Sequence, residues 1–535
     1  MKESGATPRP GRAKRWPPHS RHSAPGSGAR IVWGVAALGL IALFCVQALL
    51  AIPYLSATTD EPVHLSAGYS YWHTRDFRLN PEHPPLAKLI AALPLLLIKP
   101  RLDISSKEWE GSSEYPFAFN FLYSNDADRL LFWGRVPMIA LAALGAWITF
   151  LWARDLFGPM AGAFAAGLYA FCPNLLAHGM LVTTDVPLAT FGLLTLYLFW
   201  RQGSQPGWRK GLLTGLALGA AMTSKYSGAL FPILVACLAA IRALRQKNRR
   251  QALLGEIQNL AVMAAASLLV VEAAYLFSFS PLLYFRNGAL VNANHDPSYQ
   301  SYLLGELKQN GWWYYFVVAF VFKATLPALI LLLFATLQTM SGLVDRWGET
   351  ILLAAIGFYF VVISAGADDL GVRYLLPVFP LIYIWVSRIV PRYWRHRWGR
   401  VGLITLLSWQ IWAAASSFPN YLPYFNEIAG GPKAGPDLLD DSNVDWGQSL
   451  KQAATYVKEK KIGNVVICPF SSFENPGYYG LPSNIRPPGA LVSKKPDPGT
   501  YVISGHNLAW MKAVDPAWRQ YNAVDRIGGM WVYRF

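Results

Sequence analysis

The chain has 535 residues, of which 53% are hydrophobic, 14% aromatic and only 15% charged, too apolar a mixture for an ordinary soluble protein. A formal net charge of +16 would raise nucleic-acid binding in a soluble chain. Here the basic residues gather in short segments between long apolar runs, which excludes that reading and marks a polytopic α-helical membrane protein.

Residues 1–29, rich in Pro, Gly, Ser and Arg, read as a disordered basic tail. The apolar run Ile31 to Ile52 is too long for a signal-peptide core and reads as a retained anchor. The positive-inside rule places the N-terminus and the basic loops around Arg201, Arg242 and Arg388 in the cytoplasm. Residues 54–131 then form a first outer loop, in which the apolar stretch Leu86 to Ile98 is too short to span and is expected along the interface. Spans follow over about Gly134 to Ala153, Met160 to Pro173 and Thr183 to Arg201. Residues 211–241 lie between two cytoplasmic loops, so they must hold two short helices that meet outside at Lys225.

A further span over about Asn259 to Phe279 leads to an outer loop with His295, Asp296 and Glu306. Trp313 to Met340 reads as one helix, with Lys323 turned along a polar groove, because an unpaired charge at that depth would be costly. Glu349 to Ala367, Tyr374 to Val390 and Val401 to Phe418 complete a count of about eleven spans in a transmembrane unit of residues 30–418. The tail 419–535 reads as a small extracytoplasmic soluble α/β domain, with a helix over Gln448 to Lys460 and strands near Val465, Tyr501 and Met530. Four scattered cysteines offer no disulfide or CxxC framework.

This topology gathers Asp60, Glu61, Glu82, His83, Asp185, Lys225 and Arg373 on the outer side, although only Lys and Arg positions fixed the orientation. Acids, bases and His converging on one face suggest a reaction site at the outer interface. Asp60, in Thr58-Thr59-Asp60-Glu61, reads either as a general base or as a helix cap, and the two are compatible. Asp185 has the same ambiguity: it would share a divalent metal with the first acid, hold an acceptor, or cap its helix. His64, His83 and His295 match no zinc spacing, and structural hydrogen bonding is the plainer reading of each. Arg373 and Lys225 either snorkel or neutralise a phosphate, for which Arg offers two parallel donors. The aromatic run Trp312 to Tyr315 reads as an interfacial belt, with an isoprenoid groove as the alternative.

Four segments together resemble the protein O-mannosyltransferase and aminoarabinose transferase superfamily: Asp60-Glu61, Glu82-His83-Pro84-Pro85, Thr183-Thr184-Asp185 and Gly371-Val372-Arg373-Tyr374-Leu375-Leu376-Pro377. The resemblance spans roughly residues 30 to 420 and implies the GT-C glycosyltransferase fold. It also implies an inverting enzyme that takes a sugar from a polyprenyl-phosphate donor, outside the cytoplasmic membrane, and gives it to a hydroxyl of a protein, lipid or glycan acceptor. On it, Asp60 is the essential acid and Glu61 its helper, with Asp185 as a second catalytic acid. Glu82, His83, Lys225, Arg373 and Tyr374 are then candidates for substrate contact. No cofactor is certain and a divalent metal stays open.

His83 stands where aminoarabinose transferases carry Lys, which makes that sugar less expected, and the outer loop before Trp312 is too short for the β-trefoil of eukaryotic protein mannosyltransferases. Asp441-Ser442-Asn443-Val444-Asp445-Trp446-Gly447-Gln448 resembles tails of bacterial relatives without a role to assign. The rival readings are a transporter or lipid-sugar flippase, against which stand the lack of an internal repeat and the one-sided acids, and a sensor or assembly protein that reads ligands with its tail.

Overall fold

The computed structural model describes residues 27–203, 207–278, 281–293, 300–340, 342, 346–482 and 484–535. The expected disordered tail therefore lies outside the described residues up to residue 26, as do His295 and Asp296.

Helices dominate. Among the described residues five are long and apolar enough to cross a membrane: Arg30–Tyr54, Ala127–Phe157, Tyr226–Leu244, Arg249–Ala274 and Trp347–Gly366. The number rises to seven if each of two bent pairs is one span: Pro159–Ala170 with Pro173–Gly179, bent by 65°, and Tyr315–Lys323 with Leu326–Thr339, bent by 114°. Asp185–Arg201 and Trp208–Ser224 have 17 residues each, short of the roughly 20 a span needs. The helix pair expected around Lys225 forms as Trp208–Ser224 and Leu230–Leu244, with Lys225 in an extended conformation at the break.

The single helix expected over Trp313 to Met340 is corrected to two. Ala324 and Thr325 are extended and Pro327 cannot donate to the preceding turn. The carbonyls this frees find partners far along the chain. Asn426 donates from its backbone to Phe322 O at 3.0 Å and from Nδ2 to Val321 O at 2.6 Å and Ala324 O at 2.8 Å. Lys323 does not follow a groove: it is buried, with Nζ donating to Leu422 O at 2.7 Å and Asn443 O at 2.6 Å. A helix end inside a protein needs such partners, and here the tail supplies them.

In the first outer loop, helix Asp60–Thr74 packs against Leu86–Ala92 and Glu114–Tyr123, so the 86–98 stretch is two short helices rather than a span. Before Tyr315, strands β1 (Gln300–Leu303) and β2 (Glu306–Gln309) form an antiparallel hairpin. Its two-residue turn places Leu304 and Gly305 at positive φ, as a type I′ turn requires.

The tail holds a four-stranded sheet in the order β3-β4-β6-β5: Val465–Cys468, Thr500–Ser504, Met530–Arg534 and Asp525–Ile527. The β3–β4 pair is parallel and the others antiparallel, with Val466 opposite Tyr501 and Val502 opposite Val532. Alternation along the strands divides two faces. Val465, Ile467, Val502 and Val532 pack with Leu450, Ala453 and Val457 of helix Leu450–Glu459. Val466, Ile503 and Trp531 face the other way, into a core continuous with the membrane helices. The tail is thus packed onto the helical part.

Candidate active site

The chain enters the site through Ser56 to Thr59, an irregular stretch whose backbone is held by the tail. Ser56 N–H donates to Gln448 O and Thr59 N–H to Trp446 O, each at 3.0 Å. Helix Asp60–Thr74 then starts with two acids in its first turn, where the helix dipole favours negative charge. Neither acid behaves as a simple side-chain cap, since the capping position is Thr59 and makes no side-chain cap bond.

The two acids part company at once. Glu61 is sealed against Arg135 of helix Ala127–Phe157, both side chains 0% exposed, with Nη2 to Oε2 at 2.6 Å and Nε to Oε1 at 2.8 Å. Its oxygens also accept Thr58 N–H and Val182 N–H, each at 2.9 Å. Burial alone would raise this carboxyl, but the guanidinium and the two N–H groups hold it below its usual range. Glu61 does not line the cavity described next; it ties the outer loop to helix Ala127–Phe157 and to the turn before Asp185.

Asp60 does line it. The cavity holds about 830 Å³ and is lined by the polar side chains Asp60, Asn80, Glu82, His83, Tyr115, Asp185, Lys225, Arg373 and Tyr374. Apolar lining comes from Leu230 of one membrane helix and from Val362, Ile363, Gly366 and Ala367 at the end of another. Arg373 Nη1 lies 3.1 Å from Asp60 Oδ2, with side chains 12% and 22% exposed. Lys225 Nζ lies 2.6 Å from Asp185 Oδ1. Tyr374 stands between the cations, with Lys225 Nζ 4.2 Å and Arg373 Cζ 5.6 Å from its ring centroid. Burial works against the Arg373 guanidinium, yet Asp60, Tyr374 and Asp185 raise its affinity for a proton further.

Glu82 and His83 sit on the loop between the first two helices of the outer loop. His83 is driven well below its ordinary value by burial, then by His64 and the cations Lys225, Lys88 and Arg373, so it is neutral at pH 7. His64 is lowered too, mainly by burial; its Nδ1 meets Val182 O at 2.9 Å and its ring centroid lies 5.1 Å from that of His83. Lys88 fixes this loop from behind, with Nζ donating to Tyr71 Oη at 2.9 Å, Asn80 O at 2.7 Å and His83 O at 2.8 Å.

Seven of the eight residues expected at the site therefore border one cavity, and Glu61 does not. Sequence reasoning passed over Asn80, Lys88, Tyr115 and Arg135. Lys88 and Arg135 carried a usable signal, a lone charge inside an apolar stretch. Among the described residues no three of His, Cys, Asp and Glu converge as metal ligands. Asp60 and Asp185 are each matched by a cation, so as a donor set they fit a divalent ion poorly.

Three comparisons bear on this geometry. Residues 128–285 match the family described as dolichyl-phosphate-mannose-protein mannosyltransferase. A comparison with curated proteins finds no match. Among solved structures, ArnT from Cupriavidus metallidurans in the apo state is similar over 95% of this chain and 98% of its own, at 15% identity and a TM-score of 0.52. The same protein bound to undecaprenyl phosphate is similar over the same shares, at 14% identity and a TM-score of 0.51. Identity this low carries the fold alone. The chain accordingly has the helical membrane fold of the GT-C glycosyltransferases, with the sequence pattern of the protein mannosyltransferase family over residues 128–285.

Proposed function

We propose that this chain is an inverting glycosyltransferase that moves a sugar from a polyprenyl-phosphate donor to an acceptor hydroxyl at the outer face of the cytoplasmic membrane. One observation carries the reading: a single cavity is lined both by two carboxylate–cation pairs and by apolar residues of two membrane helices. A lipid phosphate has that polarity, an anionic head on an apolar tail. ArnT crystallised with undecaprenyl phosphate is consistent with such a donor.

In this reaction Asp60 takes the proton of the acceptor hydroxyl as its oxygen attacks the sugar C1. The bond from C1 to the phosphate oxygen breaks on the opposite face, and the polyprenyl phosphate leaves as an anion. Arg373 spends one N–H donor on Asp60 and keeps others for that phosphate, with Lys225 as a second positive charge. Asp185 sets the position of Lys225, and Glu82, His83 and Tyr374 contact the sugar or acceptor. His83, uncharged, serves as a hydrogen-bond partner rather than as a phosphate-binding cation. The reaction so written needs no metal.

The eleven-span topology belongs to the same proposal, with residues 1–29 and the basic loops inside, the cavity outside and residues 419–535 as an outer domain. The acceptor class stays protein, lipid or glycan.

The test is transfer from a radiolabelled polyprenyl-phosphate sugar in membranes, comparing wild type with Asp60→Ala. Transfer that depends on Asp60 is expected. Wild-type activity in the variant would sink the base assignment, and no transfer from any lipid donor would sink the reaction.

A further inference from the structure

The tail segment Asp440 to Gln448 takes no part in the reaction above, yet it holds both halves of the Asp60–Arg373 pair, which lie 313 positions apart in sequence. On one side it grips the stretch before Asp60. Besides the bonds to Ser56 and Thr59 N–H, Ser56 Oγ donates to Gly447 O at 2.8 Å. On the other side it grips the stretch before Arg373. Ser442 Oγ donates to Leu370 O at 2.6 Å, and Val372 N–H donates to Asn443 Oδ1 at 2.9 Å.

Both contacts are close enough to require glycine. Gly447 has φ +98°, and a Cβ there would stand 2.7 Å from Glu474 Oε1. Gly371 has φ +123°, and a Cβ there would stand 2.5 Å from Ser442 Oγ. These are left-handed backbone positions that also lack room for a side chain.

Trp446, part of the first grip, is 2% exposed and outside the lining of the cavity. The Arg373 Cζ sits 4.2 Å from its ring centroid. Its backbone is fixed at both ends, since its N–H donates to Gln448 Oε1 at 2.7 Å and its carbonyl accepts Thr59 N–H. Arg373 Nε is buried without a hydrogen-bond partner among the described residues, so hydrogen bonds alone leave the plane of this guanidinium under-determined. A flat indole face at cation–π distance supplies what is lacking.

We infer that Trp446 is a positioning residue for transfer: its indole face sets the plane and place of the Arg373 guanidinium relative to Asp60, so the tail governs the site without touching substrate. The inference rests on the reading of Asp60 and Arg373 given above, and its test separates the two. Wild type, Trp446→Leu and Trp446→Phe are reconstituted in nanodiscs as full chains. Each is assayed for transfer from a polyprenyl-phosphate sugar, for binding of farnesyl phosphate, whose short tail makes the phosphate contact count, and for melting temperature.

Trp446→Leu is expected to lower kcat about 10-fold while the donor KM moves less than about 3-fold, and to weaken farnesyl phosphate binding about 5-fold. Trp446→Phe, which keeps an aromatic face of weaker quadrupole, should recover most of both losses. In an Arg373→Lys background the leucine change should cost far less, because the two residues act as one unit. Wild-type kcat in Trp446→Leu overturns the inference, as does an equal loss in the leucine and phenylalanine variants or full additivity with Arg373→Lys. If the leucine variant fails to fold, Trp446→Phe decides alone: a loss of about 2- to 3-fold in kcat at unchanged melting temperature supports the inference, and none overturns it. If wild type transfers nothing, the functional reading falls, and the farnesyl phosphate arm still decides whether Trp446 acts through Arg373.

Discussion

Asp60 and Glu61 are neighbours in sequence and each meets an arginine, but one pair is open and the other closed. In the Glu61–Arg135 pair both side chains are fully buried, and the carboxylate accepts four hydrogen bonds, two from Arg135 and two from backbone N–H groups. In the Asp60–Arg373 pair a single contact at 3.1 Å joins two partly exposed groups on a cavity wall. The difference separates an acid that is held in place from one that can exchange its partner. A carboxylate with its lone pairs already filled holds structure, whereas one with a single bond can change partners when a substrate arrives.

The closed pair should give the largest effect when broken. Glu61→Gln leaves Arg135 buried without a counter-charge, at a cost of about 3–5 kcal/mol. The expected result is loss of monodisperse protein in fluorescence-detected size exclusion. Replacing both partners, as Glu61→Leu with Arg135→Leu, should restore part of the yield, because an apolar pair of similar volume can be neutral. A Glu61→Gln protein that is well folded but inactive would instead move Glu61 into the chemistry.

The open pair should behave the other way. Asp60→Asn is expected to lower kcat for transfer about 10²- to 10⁴-fold, the range for loss of a general base, with the melting temperature held within about 1–2 °C. A fall in stability as large as that of Glu61→Gln would erase the distinction between the pairs. Between these extremes lies Lys225. Lys225→Met removes a charge from the donor side and should raise the donor KM about 10-fold with a smaller effect on kcat. A change confined to kcat would place Lys225 with Asp60 rather than with the donor phosphate.

Much of this arrangement was open to reading along the chain, because the grouping of Lys and Arg in loops predicts a common side for the acids. That logic gathered Asp60, Asp185, Lys225 and Arg373, which the fold brings to one cavity. The same logic could not tell Asp60 from Glu61, since their difference is made by Arg135 and the Val182 N–H, 74 and 121 positions away from Glu61. Nor could it find the break after Lys323, whose freed carbonyls are satisfied by Asn426 from the tail. Periodicity sees local apolarity, whereas a broken helix depends on a distant partner for its unpaired groups. The tail motif around Trp446 was visible as a pattern, but its partners, Thr59 and Arg373, appear only once the chain is folded.

Asp445 sharpens the comparison, because this buried acid has no arginine or lysine partner among the described residues. Asp445 is buried beside Trp446; its Oδ1 faces Gly447 N–H at 3.4 Å, and burial pushes its carboxyl up to about 7. Glu474, itself raised well above its usual range by burial and by Asp445, adds a second acid, and the charge of His506 offsets only part of the effect of burial on Asp445. The ordinary carboxyl value, about 4, holds in the unfolded chain. Between about 4 and 7 the folded state therefore binds more protons than the unfolded one, and the stability this confers is full below about 4 and lost as pH rises through about 7. Asp445→Asn mimics the protonated form at every pH. At pH 8 it should melt about 1–3 °C above wild type, and the gap should close as the pH falls to about 4. A gap independent of pH, or a variant less stable at pH 8, would mean that Asp445 keeps its charge in the folded protein and finds a compensating partner there. That outcome would place Asp445 with the paired acids, alongside Asp60 and Glu61.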